Sequence, residues 1–193
     1  MPGFVTSRLA SLPMRWLGAG AGVLALGVSG IFGGLKSADP GIPQLKPNVV
    51  SKDGPWNVSV IACRVVDDLS PLHPATDGDR WFIVLANVDV TADNSQSGIG
   101  GIIRLPNVAG LVDQAPDHVL LSRDGSVVDY LNPGMTERIG FVWEQSSKVP
   151  VPTQALVQVY GATLRDSSLT GDKEWLDSSV RATVLAPVQD RRT

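Results

Sequence analysis

From Trp56 onward, apolar and polar positions alternate with the period of two that belongs to a half-buried strand. Trp56, Val58, Val60 and Ala62 fall on one face of such a strand, and Asn57, Ser59, Ile61 and Cys63 on the other. A second run sets Phe82, Val84, Ala86, Val88 and Val90 on one face, with Asn87 and Asp89 opposite. Ile102–Arg104, Val119–Leu121, Val127–Tyr130, a run through Ile139, Phe141 and Trp143, Ala155–Leu164 and Val180–Val188 bring the expectation to about eight strands. Gly, Pro, Asn and Asp separate them, and Asp124-Gly125 is a strong hairpin signal. No segment after residue 40 repeats with a helical period. The polar stretch Asp166–Asp177 predicts a short helical turn inside a loop. Strands at this spacing predict an all-β, antiparallel, two-sheet sandwich over residues 56–193.

The N-terminal pattern is different. Trp16–Leu35 is an uncharged run of 20 residues, the length a helix needs to cross a hydrocarbon core. Arg8 and Arg15 precede it, and Lys36 and Asp39 follow, so the positive-inside rule leaves the N-terminus cytoplasmic. The expected order is a short cytoplasmic tail (1–15), a transmembrane signal anchor (16–35), a Pro/Gly-rich spacer (36–55) and an extracytoplasmic domain (56–193). A cleaved signal peptide is the rival, but Lys36 would then sit where cleavage after Ala38 wants a small residue. A buried helix of a soluble protein fits worse, because seven glycines in the run would weaken it in water. Gly18/Gly22 and Gly30/Gly34 have the four-residue spacing that lets two membrane helices approach closely, with ordinary Gly/Ala-rich anchor composition as the plainer explanation.

Charge narrows the partners. Beyond residue 39 there are 13 Lys+Arg against 18 Asp+Glu, a balance of −5 that disfavours nucleic acid. The lone cysteine, Cys63, lies in an apolar β-like run and reads as a buried thiol, leaving the fold to rest on its core.

The W-x-V-x-V opening at Trp56–Val60, the run RWFIVLANVDV at Arg80–Val90 and the stretch NPGMTERIGFVWE at Asn132–Glu144 carry a resemblance. With these motifs the chain resembles membrane-tethered, immunoglobulin-like proteins of high-GC Gram-positive bacteria. The resemblance covers the exported domain and, loosely, the anchor. It implies an immunoglobulin-like sandwich in which Pro133-Gly134 caps a turn before a strand whose Phe141 and Trp143 enter the core. It further implies an envelope-facing accessory or binding module, and it brings no catalytic residues.

Chemistry is sparse. His73 and His118 each sit near acidic residues, yet no nucleophile motif accompanies them, and exposed loop histidines are the simpler reading. No zinc-ligand spacing occurs. Asp67, Asp68, Asp77 and Asp79, with Asp89, Asp93 and Asn94, offer oxygen ligands from neighbouring loops, but without a calcium-loop pattern they read as turn formers. Gly98, Gly100 and Gly101 read as a flexible turn or bulge, with no helix to complete a phosphate loop. No cofactor is expected. Among the tryptophans, Trp56 and Trp143 are in phase with core positions. Trp81 is out of phase with Phe82 and shares its face with Ile83 and Leu85. Either that strand is covered on both sides, or the face meets a partner. Trp175, in a polar loop, is a second possible contact or a lid on the sandwich edge. The expected function is a non-catalytic cell-envelope accessory or protein-interaction module, single-pass in the cell membrane, with a protein partner in the membrane or envelope. The alternative is an extracytoplasmic small-ligand or glycan-binding sensor module.

Overall fold

The computed structural model describes residues 41–192. The expected anchor, with Gly18, Gly22, Gly30 and Gly34, lies outside the described residues. Among the described residues, no helix is long and apolar enough to cross a membrane.

The chain folds as an all-β sandwich. In order the strands are β1 (Gln44–Leu45), β2 (Ser51–Lys52), β3 (Trp56–Val66), β4 (Arg80–Val90) and β5 (Gln96–Ser97). After a single 3-10 turn at Ile99–Gly101 come β6 (Ile103–Arg104), β7 (His118–Leu121), β8 (Tyr130–Leu131), β9 (Thr136–Gln145), β10 (Gln154–Asp166) and β11 (Lys173–Asp190). One half is the ladder β3-β4-β9-β7, antiparallel throughout, and the other is β6-β10-β11. The two are continuous because β11 changes partner. Its body runs antiparallel to β10, and its last residues, Val188–Asp190, run parallel to Cys63–Val65 of β3. β1 also lies parallel to β11, with Gln44 opposite Thr183. The sandwich is therefore mixed rather than wholly antiparallel. β5 and β8 form a small separate ladder.

Inward-facing residues from both halves make one core. Val65, Phe82, Val84, Phe141 and Trp143 share a buried cluster with Val157, Val159, Val184 and Ala186. Phe82, Phe141 and Trp143 have no exposed surface, and burying such a side chain stabilises by about 1.5–3 kcal/mol. Gly134 takes φ +80°, the left-handed conformation that the turn before β9 requires, so the Pro133-Gly134 expectation holds.

Several expectations are corrected. The stretch read as a spacer to residue 55 enters the sheets at Gln44, where β1 pairs with β11, and β2 then closes on β3 with Ser51 opposite Val58. Strict alternation fails inside β3. A bulge places Ile61 between the pairs Val60–Ala86 and Ala62–Leu85, so inward positions switch from Val58 and Val60 to Cys63 and Val65. Val127 meets Leu120 through one isolated bridge instead of a full strand, although the Asp124-Gly125 turn forms as expected, with Gly125 at φ +73°. Asp166–Asp177 is not a loop: its one helical turn is confined to the connection, where Gly171 N donates to Ser167 O at 2.9 Å, and the rest is strand. β10 ends at Asp166 and β11 begins at Lys173, forming a hairpin with Leu164 opposite Trp175 and Asp166 opposite Lys173. Polar strands whose faces both meet solvent carry little hydrophobic period, which hides them from pattern reading.

Candidate functional site

The outer face of β3-β4-β9-β7 is built by the side chains that alternate with the core set. Across the sheet, Val66, Trp81 and Glu144 form one row, and Arg64, Ile83, Val142 and His118 the next. Leu85 stands between Ala62 and Gly140, with Leu120 beyond. Asn87 lies between Ser59 and Arg138.

Trp81 is only 2% exposed and Ile83 8%, so they do not form the open contact surface that the sequence allowed. The strand is covered on both sides. Trp81, Ile83, Leu120 and Val142 form a second buried cluster, against which Val66, Leu69, Leu72 and Leu85 pack. The covering element is the loop between β3 and β4. A bond from Leu72 N to Leu69 O (2.9 Å) closes its turn. The Glu144 carboxylate fastens it, accepting hydrogen bonds from Ala75 N (2.9 Å) and Thr76 N (3.0 Å). Glu144 N in turn donates to Asp117 Oδ2 at 2.7 Å. Asp79 Oδ1 accepts from Ser147 N at 2.9 Å. Three acidic residues near the histidines are thus loop fasteners. Glu144 was not singled out from the sequence, where the available signal was a lone carboxylate at an outward strand position beside tryptophan.

Beside the covering loop the same face forms a groove of about 690 Å³ whose floor includes the largely buried Ile83, Leu120 and Val142 of that cluster, with Leu85 half-buried. Leu85, Leu120, Ile83 and Val142 make its apolar floor, and Gly140 leaves a dent between Leu85 and Leu120. Its charged lining residues are Arg64, Arg123 and Arg138. Arg123 is held by Glu137 at 2.6 Å and Asp124 at 3.3 Å. Arg64 and Arg138 are exposed and, among the described residues, have no carboxylate within ion-pair distance. Of the sequence-predicted contacts, Ile83 and Leu85 line this groove, Ile83 buried and Leu85 half-buried.

Trp175 belongs to a different place. Half-buried on β11, it lines a second concavity of about 780 Å³ with Trp56, Tyr160, Arg104, Gln96 and Glu174. Trp56 Nε1 donates to Tyr160 O at 3.1 Å, and the Arg104 guanidinium lies 5.8 Å from the Tyr160 ring centre. The wall is tight at Gly161, where a Cβ would stand 2.6 Å from Asp53 O. Gly54, at φ +85°, would meet Ala162 N at 2.6 Å. Past this crossing the β10–β11 hairpin carries Leu164, Leu169 and Leu176 exposed, Leu169 at 94%. Structure therefore separates the residues that the sequence proposed together: Leu85 on the groove, Trp175 on the hairpin.

Cys63 is fully buried, and burial pushes its thiol up to about 12. Among the described residues no group of His, Cys, Asp and Glu is arranged to hold a metal ion.

No protein-family model matches the chain, and no curated protein matches it. Among solved structures, an uncharacterised β-sandwich protein from Clostridium difficile 630 is similar with a TM-score of 0.46, at 9% identity, over 78% of this chain and 97% of that one.

Proposed function

We propose that this protein is a non-catalytic cell-envelope accessory module that binds a protein partner through its β10–β11 hairpin. The observation that carries the reading is the hairpin's exposed apolar set. Leu164, Leu169 and Leu176 stand in solvent on a two-stranded extension in which, between Ala162 and Ser179, Ser167 alone is buried. Leu164 shares a face with Trp175, Leu176 lies on the opposite face and Leu169 stands in the connecting turn, so a two-stranded ribbon with no core of its own presents apolar side chains on both sides and gains most when a partner wraps it.

In this reading Trp16–Leu35 is an uncleaved signal anchor with the N-terminus cytoplasmic, and the sandwich is an immunoglobulin-like domain outside the cytoplasm. Supports are the charge asymmetry around the apolar run and the resemblance carried by Trp56–Val60, Arg80–Val90 and Asn132–Glu144. Gly18/Gly22 and Gly30/Gly34 supply a helix-pairing face for a membrane partner. The absence of catalysis is part of the proposal, and the structural employment of Asp79, Asp117 and Glu144 supports it.

Affinity capture of the full chain from detergent-solubilised membranes tests the reading. The expected result is a defined partner retained by the wild type and lost with Leu169→Asp. Recovery of the protein alone, or a chain released to the medium after trimming near Ala38, would overturn it.

A second reading has its own observation. Trp56, Tyr160 and Trp175 line one concavity with Arg104, Gln96 and Glu174, the mixture of rings and polar groups that suits a sugar. Under that reading Trp175→Ala abolishes retention on a cell-wall glycan column while capture of a protein partner persists.

A further inference from the structure

We infer that the outer-face groove is a binding site for an acyl chain ending in a carboxylate. The argument starts from charge. The described domain belongs to a chain with a surplus of acid, yet the charged residues lining this groove are all arginines. Arg123 is already paired with Glu137 and Asp124, so its charge is largely met within the fold. Arg138 has only the Asn87 Oδ1 acceptor, at 3.5 Å, and that contact is long and neutral. An anion is the missing complement.

The groove is also polarised along the strands. At the Arg138 end it is lined by Asn87, Thr136 and Ser122, whose amide and hydroxyls supply neutral donors beside the guanidinium. Towards the other end the lining is Leu85, Leu120, Ile83, Val142 and Leu69. A ligand that satisfies both ends has an anionic head and an apolar tail. Arg64 flanks the apolar end opposite Ile83, where no such donors accompany it, so its stem covers apolar surface while its head meets water.

The absence of a side chain at Gly140 keeps the middle of the floor open. A Cβ at Gly140 would sit in ordinary contact with Ile83 Cγ2 at 3.6 Å, Leu85 Cδ2 at 3.8 Å and Leu120 O at 3.9 Å, so a longer side chain there would occupy the groove floor. The groove volume, about 690 Å³, falls in the ~300–1,000 Å³ range of small-molecule sites. The site is remote in register from the β10–β11 hairpin, so this inference stands or falls apart from the protein-partner reading.

The test uses the full chain in its own membranes. Three photoreactive probes bear a diazirine on the chain: a long-chain fatty acid, the matching alcohol and a phosphatidylcholine. After irradiation, adducts are mapped by peptide mass spectrometry. The fatty acid is expected to label peptides containing Leu85 or Gly140, and the alcohol and phospholipid much less. Arg138→Glu should lower that labelling about tenfold or more, as loss of a charge-assisted bond does. Arg64→Glu should lower it little, and Gly140→Leu, which fills the dent, should remove it. Arg138 is exposed, so its variant decides the matter even where Gly140→Leu fails to fold. Labelling confined to Trp16–Leu35 overturns the inference. So does equal labelling by alcohol or phospholipid, or groove labelling that survives Arg138→Glu.

Discussion

Trp81 stands edge-on to His118, with ring centroids 5.7 Å apart and planes inclined at 68°. The pair joins β4 to β7 across β9, and the indole N–H is buried without a hydrogen-bond partner. A large ring placed outside the main core, with a polar atom unmet, needs a cover that excludes water for reasons of apolar area alone. The loop carrying Leu69 and Leu72 provides it.

That cover has one identifiable fastener, and its removal gives the first prediction. Glu144→Ala deletes the carboxylate that accepts from Ala75 N and Thr76 N. Hydrogen bonds to a charged group contribute about 1.5–3 kcal/mol each, so the loop over residues 67–79 should open more often while the sandwich stays folded. Hydrogen exchange is expected to rise at Ala75 and Thr76, with a red shift of tryptophan emission from Trp81. Unchanged exchange at those two amides would mean that Leu69 and Leu72 hold the loop without Glu144.

Arg80 and Gln145 give the second. They are cross-strand neighbours, 3% and 0% exposed, and Arg80 Nε donates to Gln145 Oε1 at 2.9 Å. Arg80 Nη2 donates onward to Val149 O at 2.7 Å, and Gln145 Nε2 to Ala109 O at 2.9 Å. The chain of bonds ties β4, β9 and two loops together in a buried setting. Gln145→Ala strands a buried guanidinium and should cost about 2–4 kcal/mol in urea unfolding. Arg80→Met combined with Gln145→Leu removes both polar partners and should cost clearly less than the sum of the single changes. Additive losses would show that the two residues act independently.

How far these features were legible in the sequence depended on how one-sided each strand is. Phe82, Val84, Phe141 and Trp143 repeat on one face over a full strand length, and their burial follows directly. Trp81 was ambiguous because its covering loop, with Leu69 and Leu72 separated by Ser70-Pro71, has no period that points back to β4. The β3 bulge at Ile61 has no marked position in the sequence because Val60, Ile61, Ala62 and Cys63 are apolar in succession, so the change of phase between Ser59 and Arg64 cannot be pinned to one residue. Trp175 reads as a loop residue from sequence because most of its neighbours in GDKEWLD are polar. Its strand state comes from the opposite strand and not from its own pattern. The groove was half legible: Leu85 was read from its phase, whereas Arg138 and Gly140 gain meaning only when β9 is laid beside β4.

Cys63 supplies the last prediction, because its burial couples stability to pH. The thiol has no exposed surface, and desolvation of the thiolate raises it from 9.0 to about 12. Its folded-state value lies above its unfolded value, so the unfolded chain loses this proton first as pH rises. The contribution is fully present below pH 9 and is lost progressively between 9 and about 12. At pH 10.5 the loss from this one group should be about 2 kcal/mol relative to pH 8. Tyrosine and lysine titrate in the same window, so the measurement is a comparison: urea unfolding of wild type and Cys63→Ala at each pH. Cys63→Ala is expected to be the less stable protein at pH 8, because it leaves a small void, and the gap should shrink or reverse by pH 10.5. A thiol reagent at pH 8 should likewise react no faster than the protein opens globally, since the neutral buried thiol is not a nucleophile. A gap between the two proteins that stays constant across the pH range, or rapid labelling of the folded chain, would show that Cys63 is reached by water and would contradict the closed packing between Val84 and Val188 on which the β3–β11 junction depends.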